Sequence, residues 1–213
     1  PRRCGIASFT ADLAESLRRA APHVRLAAIA VDPSWERVDR TPPYPGGVEA
    51  VYPLRAEDAE AYEQAGRWVD REAFDVLSVQ HEYGLFGGEH GEFILRLVRE
   101  TCAPVVTTLH TVLPRPSAGQ RRVLSQVARF SDRLVVITRS AVPILREVYG
   151  VDPSKVSVVP HGTPDLPRIP DAKRELGLEG NKVISTFGLI GPGKGIEYTI
   201  RAMTSVLREH PEA

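Results

Sequence analysis

Cysteine is scarce in this chain of 213 residues, with only Cys4 and Cys102 and no C-x-x-C pair. A disulfide framework and a thiolate zinc site are thereby excluded as organising devices, and the usage suits a reducing cytoplasm. Cys102, before Pro104, reads as packing; Cys4 adjoins a glycine turn, where a reactive role is the alternative. Charge excess is missing too. Lys+Arg and Asp+Glu both number 27, so no basic field points to nucleic acid and no polybasic patch to a membrane surface. Apolar runs such as Leu134–Thr138 are far too short to span a bilayer, and no signal peptide is visible. No G-x-S-x-G elbow exists, and Ser8 near Asp12 lacks an evident His partner, so serine hydrolysis finds no support. H-E-x-x-H is unmatched around His81 and His90, so a metal site there is only the lesser alternative to a ligand-contacting loop.

What is present alternates. Phe9, Leu13 and Leu17 make one face of a first helix, and "VRLAAIAV" (Val24–Val31) reads as a buried strand. A Pro-rich loop leads to a short strand at Val48–Tyr52 and a helix over Ala56–Arg71. Strands at Phe74–Gln80, Pro104–His110, Arg133–Thr138 and Lys155–Pro160 then alternate with helices at Glu92–Glu100, Ala118–Phe130 and Ser140–Tyr149. Continuous Val/Ile/Leu strands between helices indicate an α/β fold with a parallel sheet covered on both faces. Ligands of such sheets sit beyond the carboxyl ends of the strands.

"HGTPDLPRIPD" (His161–Asp171) has three prolines and no periodicity, which marks an interdomain linker. Beyond it, Asn181–Phe187 reads as a strand, a glycine loop follows, and Ile196–Glu209 is a helix. The expected organisation is a first domain over 1–160, a linker with a short helix over 161–180, and the start of a second domain over 181–213. The two halves echo each other: Gly5-Ile6 recurs as Gly195-Ile196, Leu17-Arg18 as Leu207-Arg208, and Leu13 faces Met203. The chain opens on Pro1-Arg2-Arg3 and closes on Pro211-Glu212-Ala213 just after a helix, so a fragment of a longer protein is expected.

The loop "STFGLIGPGKGIEYT" fits G-x-x-x-x-G-K from Gly188 to Lys194, but Gly195 stands where a P-loop places the Ser or Thr that holds magnesium. Nucleoside triphosphate hydrolysis is therefore not expected. A strand end, glycines, a helix N-terminus and Lys194 still suit a diphosphate held without obligatory metal. A tight turn with a solvated lysine is the plain alternative. "QHEYGLFGGEHGE" (Gln80–Glu92) places glycines among polar residues after a strand and reads as a ligand-contacting loop, against the alternative of a mobile surface loop. His161 after Pro160 reads as a hinge residue, or as a cap of the linker; His23 and His210 read as solvated helix-end residues.

Five ordered motifs carry a resemblance over nearly the whole chain. "FGLIGPGKGIEYTIRAM" resembles the donor-phosphate loop of GT-B fold, family 4 glycosyltransferases, and "PRRCGIASFTADLAESL" the glycine turn and first helix of their N-terminal domain. "VQHEYGLFGGEHGEFIL", "TLHT" and "VVPHGTPD" fall where that family has its acceptor-side loops and its linker motif. The resemblance implies a Rossmann-like parallel sheet followed by the first βα unit of a second Rossmann-like domain. It also implies a retaining transferase that takes a sugar from a nucleotide diphosphate sugar in a cleft between two domains. By position, Gly5, Ile6, Gly193, Lys194 and Gly195 would hold the donor phosphates, and His110 and Lys194 would be catalytic. Glu82, Tyr83, Gly87 and Gly88 would form the acceptor-side loop, with His161 and Gly162 at the hinge. The implied partners are a nucleotide-sugar donor and a glycan, lipid or small-molecule acceptor, with no nucleic acid, no further cofactor and no metal; peripheral membrane contact stays open.

Three departures accompany it. Leu189 stands where the family has an Arg, the Glu-x7-Glu motif would lie beyond Ala213, and the first, central strand before Cys4 is absent. A GT-B nucleotide-sugar epimerase and a non-catalytic nucleotide-sugar or glycan-binding module are the alternative readings, and the chain alone is expected to be inactive.

Overall fold

The computed structural model describes residues 5–32, 45–163, 165, 167–186, 191 and 195–210. The chain divides into two compact units, residues 1–164 and 165–213.

Unit 1 begins with α1 (Gly5–Ala20). Its C-terminal turn carries Arg18 and Arg19, which pair with Glu15 at 2.9 Å each and complement the helix dipole. Two parallel strands follow, β1 (Ala27–Asp32) and β2 (Ala50–Arg55), in register from Ala27↔Ala50 to Asp32↔Arg55. Helix α2 (Ala59–Arg71) starts at Asp58, whose carboxylate accepts from the amides of Glu60 and Ala61.

The main sheet holds β3 (Leu77–His81), β4 (Val105–Leu109), β5 (Arg133–Val136) and β6 (Val156–Val158), all parallel and in that spatial order. Between them run α3 (Ile94–Glu100), α4 (Ala118–Phe130) and α5 (Ala141–Tyr149). Helix α4 carries a capping box in which Ser117 and Gln120 satisfy each other's backbone amides. Helix α5 ends on Gly150 at φ 70.

The helices α2 to α5 pack in a row against one face of the sheet. Val79 and Val105 meet Tyr62, Leu97, Val123 and Val127 there, and Leu109, Leu134 and Val136 meet Leu124, Leu145 and Tyr149. Alternation puts Ser78, Gln80, Val106, Thr108 and Val135 on the opposite face. Ser78 is exposed and Gln80, Val106 and Val135 are only half-buried, while Thr108 is buried, so the expected cover is full on one face and partial on the other. Instead of one sheet there are two: among the described residues no ladder joins β1 to β3. The two sheets nevertheless share a core, since Ile29, Val31 and Tyr52 pack against the cluster of Tyr62 and Val79.

Unit 2 holds α6 (Ala172–Glu175) and α7 (Ile196–Glu209). The strand expected over Asn181–Phe187 is not formed at residues 181–186; a strand needs a neighbour for its amides and carbonyls, and no described segment pairs with it. Cys102, expected as packing, is exposed, and its backbone N–H donates to the Asp70 carboxylate at 3.0 Å. Among the described residues no helix is long and apolar enough to cross a membrane.

Candidate functional site

The carboxyl ends of β3 and β4 bring the sequence-selected groups of unit 1 together. Register pairs Gln80 with Thr108. The next amide, that of His110, donates to the His81 carbonyl at 3.0 Å and extends the ladder by one residue. Paired residues of parallel strands share a face, so Gln80 and His110 stand on the same side. Their side chains meet: His110 Nε2 lies 2.9 Å from Gln80 Oε1. The Gln80 amide nitrogen donates to Ser78 Oγ at 3.3 Å, which turns Oε1 toward the imidazole. With the amide assigned that way, Nε2 carries the hydrogen and Nδ1 keeps the lone pair.

Burial lowers the pKa of His110; the Glu82 charge opposes this and His161 adds to it. The imidazole is therefore neutral at neutral pH. Its ring meets the Phe9 ring edge-on at 4.8 Å between centroids, and Phe9 meets His161 at 5.0 Å. Phe9 lies one turn into α1, so the helix that starts at Gly5 and Ile6 is docked against the His110 side of the sheet. Gly5 itself is the first helical residue and exposed, and a Cβ there would touch nothing. His161 is exposed, with Nδ1 2.7 Å from the carbonyl of Gly162.

Glu82 is held at both oxygens. Oε1 accepts from the Tyr83 amide at 2.8 Å and Oε2 from the Thr111 hydroxyl at 2.6 Å. The Tyr83 hydroxyl lies 3.4 Å from that of Tyr149, which donates to the Leu113 carbonyl at 2.8 Å. Burial, and then the Tyr149 hydrogen bond, push the Tyr83 pKa up, so it stays a neutral phenol. A cavity of about 140 Å³ opens beside His110, lined also by Val112, Ile137, Thr138 and Ser140.

Two glycines of the loop, Gly87 and Gly88, have internal reasons. A Cβ at Gly87 would collide with the Ala56 carbonyl and come within 2.7 Å of the Phe93 ring. Its amide donates to the Tyr62 hydroxyl at 3.1 Å. Gly88 has φ +87, and a Cβ there would meet the Glu92 carboxyl at 2.5 Å. Glu92 in turn accepts from the His90 amide at 2.8 Å. Gly87 and Gly88 thus shape the loop that aims Glu82 and Tyr83.

His81, one residue earlier, points into the core. It is 2 % exposed, its Nδ1 has no hydrogen-bond partner, and burial pulls its pKa to about 4, with His110 adding to the shift. Among the described residues no three His, Cys, Asp or Glu side chains converge as a metal site would need.

In unit 2, Gly195 takes φ 71 immediately before α7, which presents an uncapped helix N-terminus. Gly193 and Lys194 lie outside the described residues. Gln80 and Thr111 lie within the quoted motifs and Phe9 on the apolar face of the first helix, but none of them, nor the Thr138–Ser140 lining, was named by sequence as a site residue. Strand parity could have found Gln80 from His110; nothing local announces Phe9.

The chain matches the model of Glycosyltransferase Family 4 over residues 4–165. Among curated relatives, the D-inositol 3-phosphate glycosyltransferase of Rhodococcus erythropolis is 31% identical over 159 residues, covering 62% of this chain and 35% of that protein. Those of Acidothermus cellulolyticus and Actinosynnema mirum are 30% and 32% identical, covering 72% and 62% of this chain and 35% and 37% of theirs. The chain spans about a third of the length of these relatives.

Proposed function

This chain belongs to glycosyltransferase family 4, and from that premise we propose that it carries the acceptor side and the opening of the donor side of a retaining sugar transferase. The observation that carries the reading is the cluster at the ends of β3 and β4: a neutral His110 fixed by Gln80, beside Glu82 and Thr111. Strand ends are where ligands of parallel sheets bind.

In this reading the bond between the anomeric carbon and a diphosphate oxygen breaks, and the acceptor oxygen bonds the same face of that carbon. The acceptor proton leaves with the diphosphate. Charge develops on the departing diphosphate, so preorganised donors there do most of the work. The amides of Gly5 and Ile6, the N-terminus of α7 after Gly195, and Gly193 with Lys194 are the groups assigned to it. His110 offers its Nδ1 lone pair to a hydroxyl of the transferred sugar. Glu82 and Tyr83 face the acceptor, with Gly87 and Gly88 shaping their loop, and His161 and Gly162 form the hinge. The donor is a nucleotide diphosphate sugar; the acceptor is a glycan, lipid or small molecule. The acceptor in the relatives' name, D-inositol 3-phosphate, is the starting point for asking which.

His110→Ala in the full-length enzyme tests the reading. Turnover should fall about 10- to 150-fold, the equivalent of the ~1.5–3 kcal/mol of a hydrogen bond to a charging group, with nucleotide affinity nearly unchanged. Wild-type turnover would overturn it.

A further inference from the structure

Three features of the acceptor side of the His110 site concern charge. First, Glu82 is fixed in place, since Tyr83 N–H and Thr111 Oγ1–H bind its two oxygens at 2.8 and 2.6 Å. These are the donors a phosphate would otherwise recruit, and both are already engaged by a carboxylate. Second, residues 82–92 hold Glu82, Glu89 and Glu92 and no Lys or Arg. Among the described residues Glu82 makes no ion pair, and the arginines of the following loops, Arg115 and Arg139, are exposed and not paired with it. Third, the cavity beside His110 is lined, among the described residues, by apolar side chains, the imidazole and the hydroxyls of Thr138 and Ser140, with no Lys or Arg.

We infer that Glu82 closes this site to phosphorylated acceptors, so that the acceptor it takes is a neutral polyol or sugar. The inference rests on the transferase reading above. Like charges at contact range, partly shielded from water, repel strongly enough to choose between acceptors of equal shape. Hydroxyl groups find partners at such a site: a carboxylate and an imidazole nitrogen accept their protons, and of the Thr138 and Ser140 hydroxyls, 2.9 Å apart, one is left to donate.

The test is an equilibrium titration of the chain at neutral pH with myo-inositol and with D-inositol 3-phosphate, followed through the His110 and Thr111 resonances. The phosphorylated probe should bind at least about tenfold more weakly than the neutral one in the wild type, and Glu82→Gln should shift the ratio toward it by about tenfold or more. Gln keeps an acceptor for Tyr83 N–H and a donor for Thr111, so the loop is preserved. Thr111→Val keeps the charge and should leave the phosphorylated probe excluded. Phosphorylated binding that is equal or tighter in the wild type overturns the inference. So does a Glu82→Gln variant that admits no phosphorylated probe, or a Thr111→Val variant that admits it as Glu82→Gln does. No transfer is measured, so failure here is distinct from failure of the His110→Ala test.

Discussion

Helices α4 and α7 have nearly the same length, 13 and 14 residues, and similarly amphipathic patterns, yet α4 buries five residues and α7 none. Pattern states which face asks for cover; only neighbours supply it. Leu124 and Val127 of α4 sit against β4 and β5, whereas Ile196, Ile200 and Met203 of α7 front an open groove of about 530 Å³ shared with Lys182, Ile184 and Thr186. The difference extends to function. Packing under β4 fixes where His110 and Gln80 stand, so that region can aim side chains. The described part of α7 offers what needs no packing: a backbone turn at Gly195 and the N-terminal dipole.

The sharpest way to break this comparison is to truncate one apolar side chain on each helix. Leu124 is fully buried with Leu109 and Leu134, so Leu124→Ala should destabilise unit 1 by about 2–5 kcal/mol. Ile200→Ala on α7, at an exposed position, should stay within about 0.5 kcal/mol. Guanidinium unfolding read through amide exchange in β4 and in α7 separates the two, and equal losses would abolish the distinction.

Acid should find the packed region as well. The folded-state pKa of His81 is pulled by burial from 6.5 to about 4. Above pH 6.5 the residue is neutral folded or unfolded and costs nothing. As pH falls from 6.5 to 4 the unfolded chain takes up the proton first, and stability drops by about 3 kcal/mol in total. His81→Phe should flatten that part of the stability–pH curve of β3. An unchanged slope would mean that His81 protonates inside the core without penalty.

Sequence carried most of the fold and part of the site, for reasons visible in particular residues. The Ser117/Gln120 box and the Gly195 turn mark the starts of α4 and α7, because caps are local chemistry. His110 and Glu82 stood out as polar groups at strand ends, and the structure brings them together. The Phe9–His110–His161 contact is tertiary, made by residues far apart in the chain, and no local pattern encodes it. Residues 181–186 failed as a strand for the converse reason: their apolar pattern is local, but a ladder is not.

The smallest effect sharpens the comparison most, because it splits two positions that the sequence makes look alike. Gly5 and Gly195 each precede an Ile and each open an amphipathic helix. Gly195 holds φ 71, where a side chain is strained, so Gly195→Ala should cost α7 about 1 kcal/mol. Gly5 is the first residue of α1, has no positive φ, and a Cβ there would touch nothing. Its folded state gives no reason for glycine, and Gly5→Ala should stabilise α1 by about 0.4–1 kcal/mol through the unfolded chain. If backbone at Gly5 approaches the donor phosphates as proposed, the same variant in the full-length enzyme should bind nucleoside diphosphate more weakly while melting no lower. Thermal unfolding with calorimetric titration reads both. A variant that gains stability and keeps its nucleotide affinity would remove Gly5 from the donor site and leave Ile6 and the α7 turn to carry the phosphates.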